Sequence, residues 1–312
     1  MTQVPLDAPR GSGVVARGVA RSFGDVRAVS GIDLTARPGE VTALVGPNGA
    51  GKTTLLLVLA TLLVPDRGEV RVAGFDPTTE YDQVRARMGW APDVFGLYDT
   101  LTAQEYLEFV GQSYRLARRE SSRRATELLE LIGLPDWAGR PVHTMSRGQK
   151  QRLGLARAIV HAPEVLLLDE PASGLDPRAR VELRDLLRSL AREGTAVIVS
   201  SHLLGDLEEL ADSVVFVDRG VTVGEHRVDQ LPASTATRPW RLRALDPTAL
   251  LAALTRNGFT FDAPTAAGVD VALASDEQAA DLLAGLVRDG VPVVSCQPLG
   301  GRLEATYLAL TR

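Results

Sequence analysis

The sequence predicts an α/β fold with a mostly parallel sheet, a helical subdomain set into it, and a small α+β domain towards its C-terminal end. Short apolar runs rich in β-branched residues recur along the chain with helical segments between them. From Asp93 to Ala162 the pattern becomes purely helical. After Ser234-Thr235-Ala236-Thr237 the texture changes to that of a separate unit.

Residues 1–13 hold Pro5, Pro9, Gly11 and Gly13 without an apolar stretch, so they read as a loose tail and not as a signal peptide. Strands are expected near Gly13–Val19, Ile32–Ala36, Val41–Val45, Glu69–Val72, Val165–Leu168, Ala196–Val199 and Val214–Val217. The last turns through Asp218-Arg219-Gly220 into Val221–Val223, a short hairpin signal. Thr102 and Glu105 form a capping box that opens a helix to about Leu116. A second helix covers about Ser121 to Ile132, and a third starts at Ser146 and stops before Pro163, so the helical subdomain spans about 93–162. Pro177 takes the first position of a helix that continues to Arg192.

The main domain is expected over 14–233, a linker over 234–239 and the small domain over 240–312. In the small domain, Trp240–Leu245 reads as strand, Pro247–Asn257 as helix, Thr260–Ala263 and Val269–Ala274 as a hairpin, Glu277–Asp289 as helix and Val291–Cys296 as strand. That order, β-α-β-β-α-β, is ferredoxin-like, with Glu304 to Thr311 as a final helix.

Of the 312 residues, 45% are hydrophobic and 23% charged, the balance of a soluble globular protein. A net charge of −5 argues against a nucleic-acid binder that relies on general electrostatics. The basic run Arg115 to Arg124 reads as a solvated helix face. One cysteine, Cys296, excludes an internal disulfide framework and makes no metal site by itself. Leu55 to Val64 is the longest apolar run, about half the roughly 20 residues a membrane span needs, and is expected as a buried core helix. The expected location is cytoplasmic.

Gly46-Pro47-Asn48-Gly49-Ala50-Gly51-Lys52-Thr53 matches G-x-x-x-x-G-K-[ST], a phosphate-binding loop. It follows the strand Val41–Val45 and leads through Thr54 into an apolar helix, the context that the motif requires. Lys52 is one of only two lysines in a chain that otherwise uses arginine. A compact ammonium enters a nest of backbone N–H groups as a planar guanidinium fork does not. The loop offers N–H groups to a β-phosphate, the Lys52 ammonium to β/γ-phosphates and the Thr53 hydroxyl to Mg²⁺. Val165-Leu166-Leu167-Leu168 reads as a strand buried on both faces, which places Asp169 at its C-terminal edge as a metal-holding carboxylate. Glu170 beside it is placed to act as general base on an attacking water, against the alternative of a solvated loop carboxylate.

Three further motifs follow in order: Thr144-Met145-Ser146-Arg147-Gly148-Gln149-Lys150-Gln151-Arg152-Leu153, then Ser173-Gly174-Leu175-Asp176, then Ser200-Ser201-His202. With the loop and Asp169 they resemble the ATP-binding-cassette (ABC) ATPases over about Val14 to Glu225. The resemblance implies a P-loop NTPase fold, a RecA-like core with an antiparallel β-subdomain and an inserted α-helical subdomain, that hydrolyses ATP with Mg²⁺. It implies that Ser146, Gly148 and Gln149 touch the γ-phosphate of ATP held by a second copy, that Asp176 reaches across the same interface, and that His202 senses the γ-phosphate. Ser146 and Gln149 also form an S-x-x-Q capping box, so helix capping explains them equally. Phe23 in Arg21-Ser22-Phe23-Gly24 matches the family's adenine-stacking aromatic, against the alternative of a core phenylalanine.

Two positions depart from the family pattern. Arg147 replaces the first of two signature glycines, and Asp93 stands where a glutamine touches the Mg²⁺ water shell. Both substitutions resemble a branch that works with separately encoded exporter permeases, drug and antibiotic self-resistance pumps among them, and that ends in a sequence like Leu303-Glu304-Ala305-Thr306-Tyr307-Leu308. The resemblance implies a homodimer joined through a head-to-tail ATP sandwich, an integral-membrane permease partner, no nucleic acid, and a place at the cytoplasmic face of the cell membrane. The competing reading is a soluble regulatory protein whose C-terminal domain binds an effector. A DNA-repair or translation protein of the same family fits less well, because the chain has one cassette and a negative net charge.

Overall fold

The computed structural model describes residues 13–94, 96, 98, 100–201, 204–231, 238–299 and 301–311. The chain divides into two compact units, Met1–Arg227 and Val228–Arg312, so the division falls before the expected linker. Arg238 and Pro239, placed in that linker by the sequence reading, already belong to a strand.

The first unit runs β1 (Val14–Phe23), β2 (Val26–Ala36), β3 (Val41–Val45), α1 (Lys52–Leu59), β4 (Arg67–Val72), α2 (Tyr81–Arg85), β5 (Met88–Ala91), α3 (Ala103–Ser113), α4 (Arg118–Leu131), α5 (Arg147–Ala158), β6 (Val165–Asp169), α6 (Pro177–Arg192), β7 (Ala196–Ser201), α7 (Leu204–Leu210), β8 (Ser213–Asp218) and β9 (Val221–Arg227). Nine strands form one sheet in the order β4-β1-β2-β9-β8-β3-β7-β6-β5. From β8 to β5 all pairings are parallel, and β3, β6 and β7 are fully buried. The β4-β1-β2 edge and the β8–β9 hairpin are antiparallel. The sheet is thus mixed, because β1, β2 and β9 run well beyond the segments that their apolar runs mark. β5 escaped the sequence reading, since Met88-Gly89-Trp90-Ala91 carries no β-branched residue.

Leu55, Leu56 and Leu59 of α1 pack into a core with Ile32, Leu44, Val215 and Val217. The expected helix over Leu55 to Val64 stops at Leu59, and Leu62 and Val64 are exposed. α3 opens with the expected box: Glu105 N–H donates to Thr102 Oγ1 at 3.2 Å, and Thr102 N–H donates to Glu105 Oε2 at 2.9 Å. α4 begins at Arg118, earlier than expected, and carries the basic run on an exposed face.

The second unit holds β10 (Arg238–Ala244), α8 (Pro247–Arg256), β11 (Val269–Leu273), α9 (Asp276–Arg288), β12 (Val293–Pro298) and α10 (Arg302–Leu310). Its sheet is β11-β10-β12 with both pairings antiparallel. The Thr260–Ala263 strand is reduced to a single antiparallel bridge, Phe261 to Val271. This bridge lies on β11, where a ferredoxin-like order places its remaining edge strand. Leu242, Leu250, Leu254, Val271, Leu273 and Leu286 form the unit's own core.

Candidate active site

β3 ends in the Gly46–Thr53 loop, which closes against β2 and β8. A Cβ on Gly46 would stand 2.2 Å from Val217 O, and one on Gly51 would stand 2.6 Å from Ala28 O. Gly51 also caps α1 with φ +100°, a conformation that glycine adopts without steric cost. Pro47, Asn48 and Gly49 form the exposed crest, and Ala50 is buried beneath it, its N–H donating to Pro47 O at 3.1 Å. No acidic residue stands in the first turn of α1 itself.

Lys52 is buried, and its Nζ donates to Gly46 O at 2.7 Å and Pro47 O at 3.1 Å. Burial lowers its pKa from the ordinary lysine value, opposed by the negative charges of Glu170 and Asp169. Thr53 is exposed and Thr54 half-buried behind it.

Asp169 ends β6 and is 5% exposed. Its Oδ2 accepts a hydrogen bond from Thr53 Oγ1 at 2.8 Å, and its Oδ1 accepts a short one from Ser200 Oγ. Ser200 is the β7 residue paired with Asp169, and Ser201 is paired with Val45, so β7 stands between the loop and the carboxylate. The sequence reading gave Ser200 no role of its own beyond its place in the Ser200-Ser201-His202 motif; the fold brings its hydroxyl onto the Asp169 carboxylate. Glu170 follows with φ +49°, unusual for a residue bearing a side chain, and its N–H donates to Ser200 O at 3.1 Å. Left-handed backbone at a non-glycine costs of order 1 kcal/mol and concentrates at functional sites.

Lys52, Thr53, Asp169 and Glu170 are thus gathered at the C-terminal edge of the parallel strands, where open α/β sheets bind ligands. The pair fits Mg²⁺: adjacent oxygens around an octahedral ion with ligands at about 2.1 Å are about 3 Å apart, close to the Thr53–Asp169 separation. Among the described residues no three His, Cys, Asp or Glu side chains cluster to hold a metal.

Phe23 ends β1 and is 46% exposed, which overturns the core alternative. The Arg21 guanidinium carbon lies 5.1 Å from its ring centroid. Asp66 holds this corner, accepting from Ser22 N–H at 2.7 Å and from Arg21 Nη1 at 2.8 Å. Those bonds, the Ser22 one foremost, keep its carboxyl below the usual range.

Asp93 is exposed two residues beyond β5, and among the described residues no hydrogen bond or ion pair joins it to Thr53 or Asp169. Ser146 caps α5 in a complete box: Ser146 N–H donates to Gln149 Oε1 at 2.8 Å, and Gln149 N–H to Ser146 Oγ at 3.3 Å. A Cβ on Gly148 would meet only Leu175 Cδ2 at 3.6 Å and Gly174 O at 3.9 Å, so nothing in its own chain requires a glycine there. Arg147 donates through Nη2 to Ser173 Oγ at 3.3 Å and packs beside Gly174, tying α5 to the loop after β6. Asp176 caps α6, its Oδ1 accepting from Ala179 N–H at 2.9 Å, and that bond lowers its pKa. His202 lies outside the described residues.

The model of the ABC transporter family matches residues 29–173. The daunorubicin resistance ATP-binding protein DrrA3 of Streptomyces coeruleorubidus is 42% identical over 218 residues, 70% of this chain and 69% of that protein. The ABC transporter ATP-binding protein NatA of Bacillus subtilis is 37% identical over 207 residues, 66% of this chain and 84% of that protein. A solved ATP-binding subunit of an ABC transporter shares 26% identity with a TM-score of 0.66, covering 70% of this chain and 92% of its own. A dimeric ATP-binding cassette in a post-hydrolysis state with ADP and Pi shares 27% identity with a TM-score of 0.63, covering 69% and 98%. The ordered motifs, the loop-to-β6 geometry and these likenesses converge: the chain belongs to the ATP-binding proteins of ABC transporters and is an ABC ATPase.

Proposed function

We propose that the chain is the ATP-hydrolysing subunit of a membrane exporter, closing head to tail with a second copy around two MgATP and driving a separately encoded permease. The observation that carries the reading is the start of α5, where Ser146 and the unconstrained Gly148 present a self-capped helix N-terminus with no acidic residue in its first turn. Such an end attracts an anion through its N–H groups and dipole. Its ligand in this reading is the γ-phosphate held by the other copy's Lys52 loop, with Gln149 and Asp176 at the same interface.

Phe23 gives the adenine a ring face, and the loop amides with the Lys52 ammonium hold the β- and γ-phosphates. Thr53 and Asp169 would hold Mg²⁺, with Asp93 accepting from its water shell; the ion supplies charge neutralisation at the phosphate oxygens. Glu170 takes the proton of the attacking water, and His202 is assigned to the γ-phosphate. For the permease, the helical insert offers a groove of about 1210 Å³ where Tyr98 and Phe109 are exposed and meet edge to face at 5.3 Å, beside Tyr106, Tyr114 and Arg157. No helix among the described residues is long and apolar enough to cross a membrane, so this reading places the chain at the cytoplasmic face through its partner. DrrA3 and a second relative, 39% identical over 231 residues, the daunorubicin/doxorubicin resistance protein DrrA of Streptomyces peucetius, support a drug or antibiotic as cargo.

The test is purification of the chain from detergent-solubilised membranes of its native host. A stoichiometric polytopic partner is expected. A chain recovered without a membrane partner under both ATP and ADP overturns the transporter reading in favour of a regulatory one. Glu170→Gln should accumulate an ATP-bound dimer; rapid turnover by that variant would remove Glu170 as the base.

A further inference from the structure

A second cavity, of about 500 Å³, opens between the helical insert and α6, and no residue of the Gly46–Thr53 loop lines it. Its walls include Leu155 and Leu168, both buried, and Ala179, Leu183 and Leu186 of α6. Those three positions follow i, i+4, i+7 spacing, one face of a helix. Leu187 lies i+4 from Leu183 on the same face; Ala179, Leu187 and Ala191 are buried, while Leu183 and Leu186 are half-buried. Leu183 and Leu186 are thus the part of this face that borders the cavity. The volume falls in the range of small-molecule pockets, about 300 to 1,000 Å³, and the lining mixes apolar side chains with charged and polar ones.

The polar groups bias the charge. Glu130, Asp176 and Glu182 line the cavity against Arg152 and Arg178. Both guanidiniums are spent on the same carboxylate, Arg152 at 3.3 Å and Arg178 at 3.0 Å from Glu182, and Arg152 also donates to Ile132 O at 3.4 Å. Glu130 and Asp176 make no ion pair among the described residues, although the Arg152 charge still acts on Asp176, so the lining carries one net negative charge. Gln151 donates to Pro171 O at 3.3 Å in the wall next to the catalytic loop. We propose that this cavity is a binding site for an aromatic compound carrying an aliphatic amine, its flat apolar body against Leu155, Leu183 and Leu186 and its ammonium among Glu130, Asp176 and Glu182.

The experiment is calorimetric titration of the full chain with three matched probes: N,N-dimethyl-1-naphthylmethylamine, 1-methylnaphthalene and 1-naphthylacetate. One saturable site is expected, with the amine at least about 3-fold tighter than the carboxylate, the scale of an exposed charge contact. Leu183→Trp, which fills the cavity, should weaken the amine at least about 10-fold while ATP binding and melting temperature persist. If that variant fails to fold, Leu186→Phe is read the same way. Glu130→Gln, an exposed change, should narrow the preference for the amine. No saturable binding, equal affinity for the carboxylate, or full affinity in the filled variants overturns the proposal. Binding lost in Phe23→Ala and kept in Leu183→Trp places the amine at the nucleotide site and overturns it equally.

Discussion

Thr53 Oγ1 donates to Asp169 Oδ2 at 2.8 Å, joining the first turn of α1 to the end of β6 although β7 lies between β3 and β6 in the sheet. Ser200, at the end of that intervening strand, donates to the other carboxylate oxygen. Asp169 is therefore oriented by two hydroxyls before any ion arrives. Asp169→Asn replaces one acceptor oxygen with a donor that faces a hydroxyl, and it removes the charge that holds Mg²⁺. ATP turnover should fall at least about 10²-fold. Ser200→Ala leaves the charge and removes one orienting bond, so the Mg²⁺ concentration for half-maximal turnover should rise about 10-fold. Steady-state ATPase assays across a Mg²⁺ titration check both, with thermal melts to show that each variant is folded.

Lys52 makes nucleotide binding pH-dependent on the alkaline side. Burial lowers its pKa in the free protein, with Glu170 and Asp169 opposing the shift, so it loses its proton at lower pH than an ordinary lysine. Phosphates stabilise the ammonium, so ATP binding should be linked to proton uptake in that range and weaken as pH rises through the lowered pKa. Calorimetry in two buffers of different ionisation enthalpy measures the uptake. Lys52→Arg should abolish the linkage, because a guanidinium stays charged, and should weaken binding at every pH.

Legibility in the sequence followed the physics of each element. The Gly46 to Thr53 loop, the Ser146 and Gln149 box and Asp176-Pro177 were readable because glycine, capping and proline positions in them answer local backbone demands. The antiparallel half of the sheet was read short because β1 and β2 are mixed in polarity where the chain is half-exposed, as at Ser22 and Arg27. Arg147 looked like a departure from a glycine pattern; only the fold brings Ser173 and Gly174, 26 residues away, beneath its guanidinium. Ser200 stands in the sequence only as part of the Ser200-Ser201-His202 motif, because its contact with Asp169 depends on pairing with the neighbouring strand.

Ser146 serves as a helix cap in the single chain, and in the proposed dimer also as a phosphate contact. The two roles separate by mutation. Ser146→Ala removes the bond from Gln149 N–H and should cost about 1 kcal/mol of stability. Ser146→Asp keeps a strong N-cap and the favourable dipole interaction while placing a negative charge where the γ-phosphate is to approach. Its stability should match that of the parent, yet ATP-driven dimerisation should be lost. Chemical denaturation together with size-exclusion chromatography of the Glu170→Gln background reads the two effects apart. A normal ATP-bound dimer in Ser146→Asp would leave capping as the whole role of the residue.

His161 is expected to weaken the fold towards acid pH. Its ring stacks on Tyr114 with centroids 3.7 Å apart and planes 3° apart, and neither ring nitrogen has a hydrogen-bond partner among the described residues. Burial pushes its pKa down from 6.5 to about 4; the Met88 backbone nearby opposes this but lies outside hydrogen-bond geometry. Tyr114 is shifted upward by the same burial, so it remains neutral through this range. Below pH 6.5 the unfolded chain takes up a proton at His161, while the folded chain stays neutral until about pH 4. The stability present above 6.5 is therefore lost as pH falls through that window, by up to about 3 kcal/mol. His161→Phe keeps a ring against Tyr114 and removes the titration. Its unfolding free energy should fall less than that of the parent between pH 7 and pH 4.5, measured by urea denaturation. Equal losses in the two proteins would show that His161 takes up its proton in the folded state as readily as in the unfolded one.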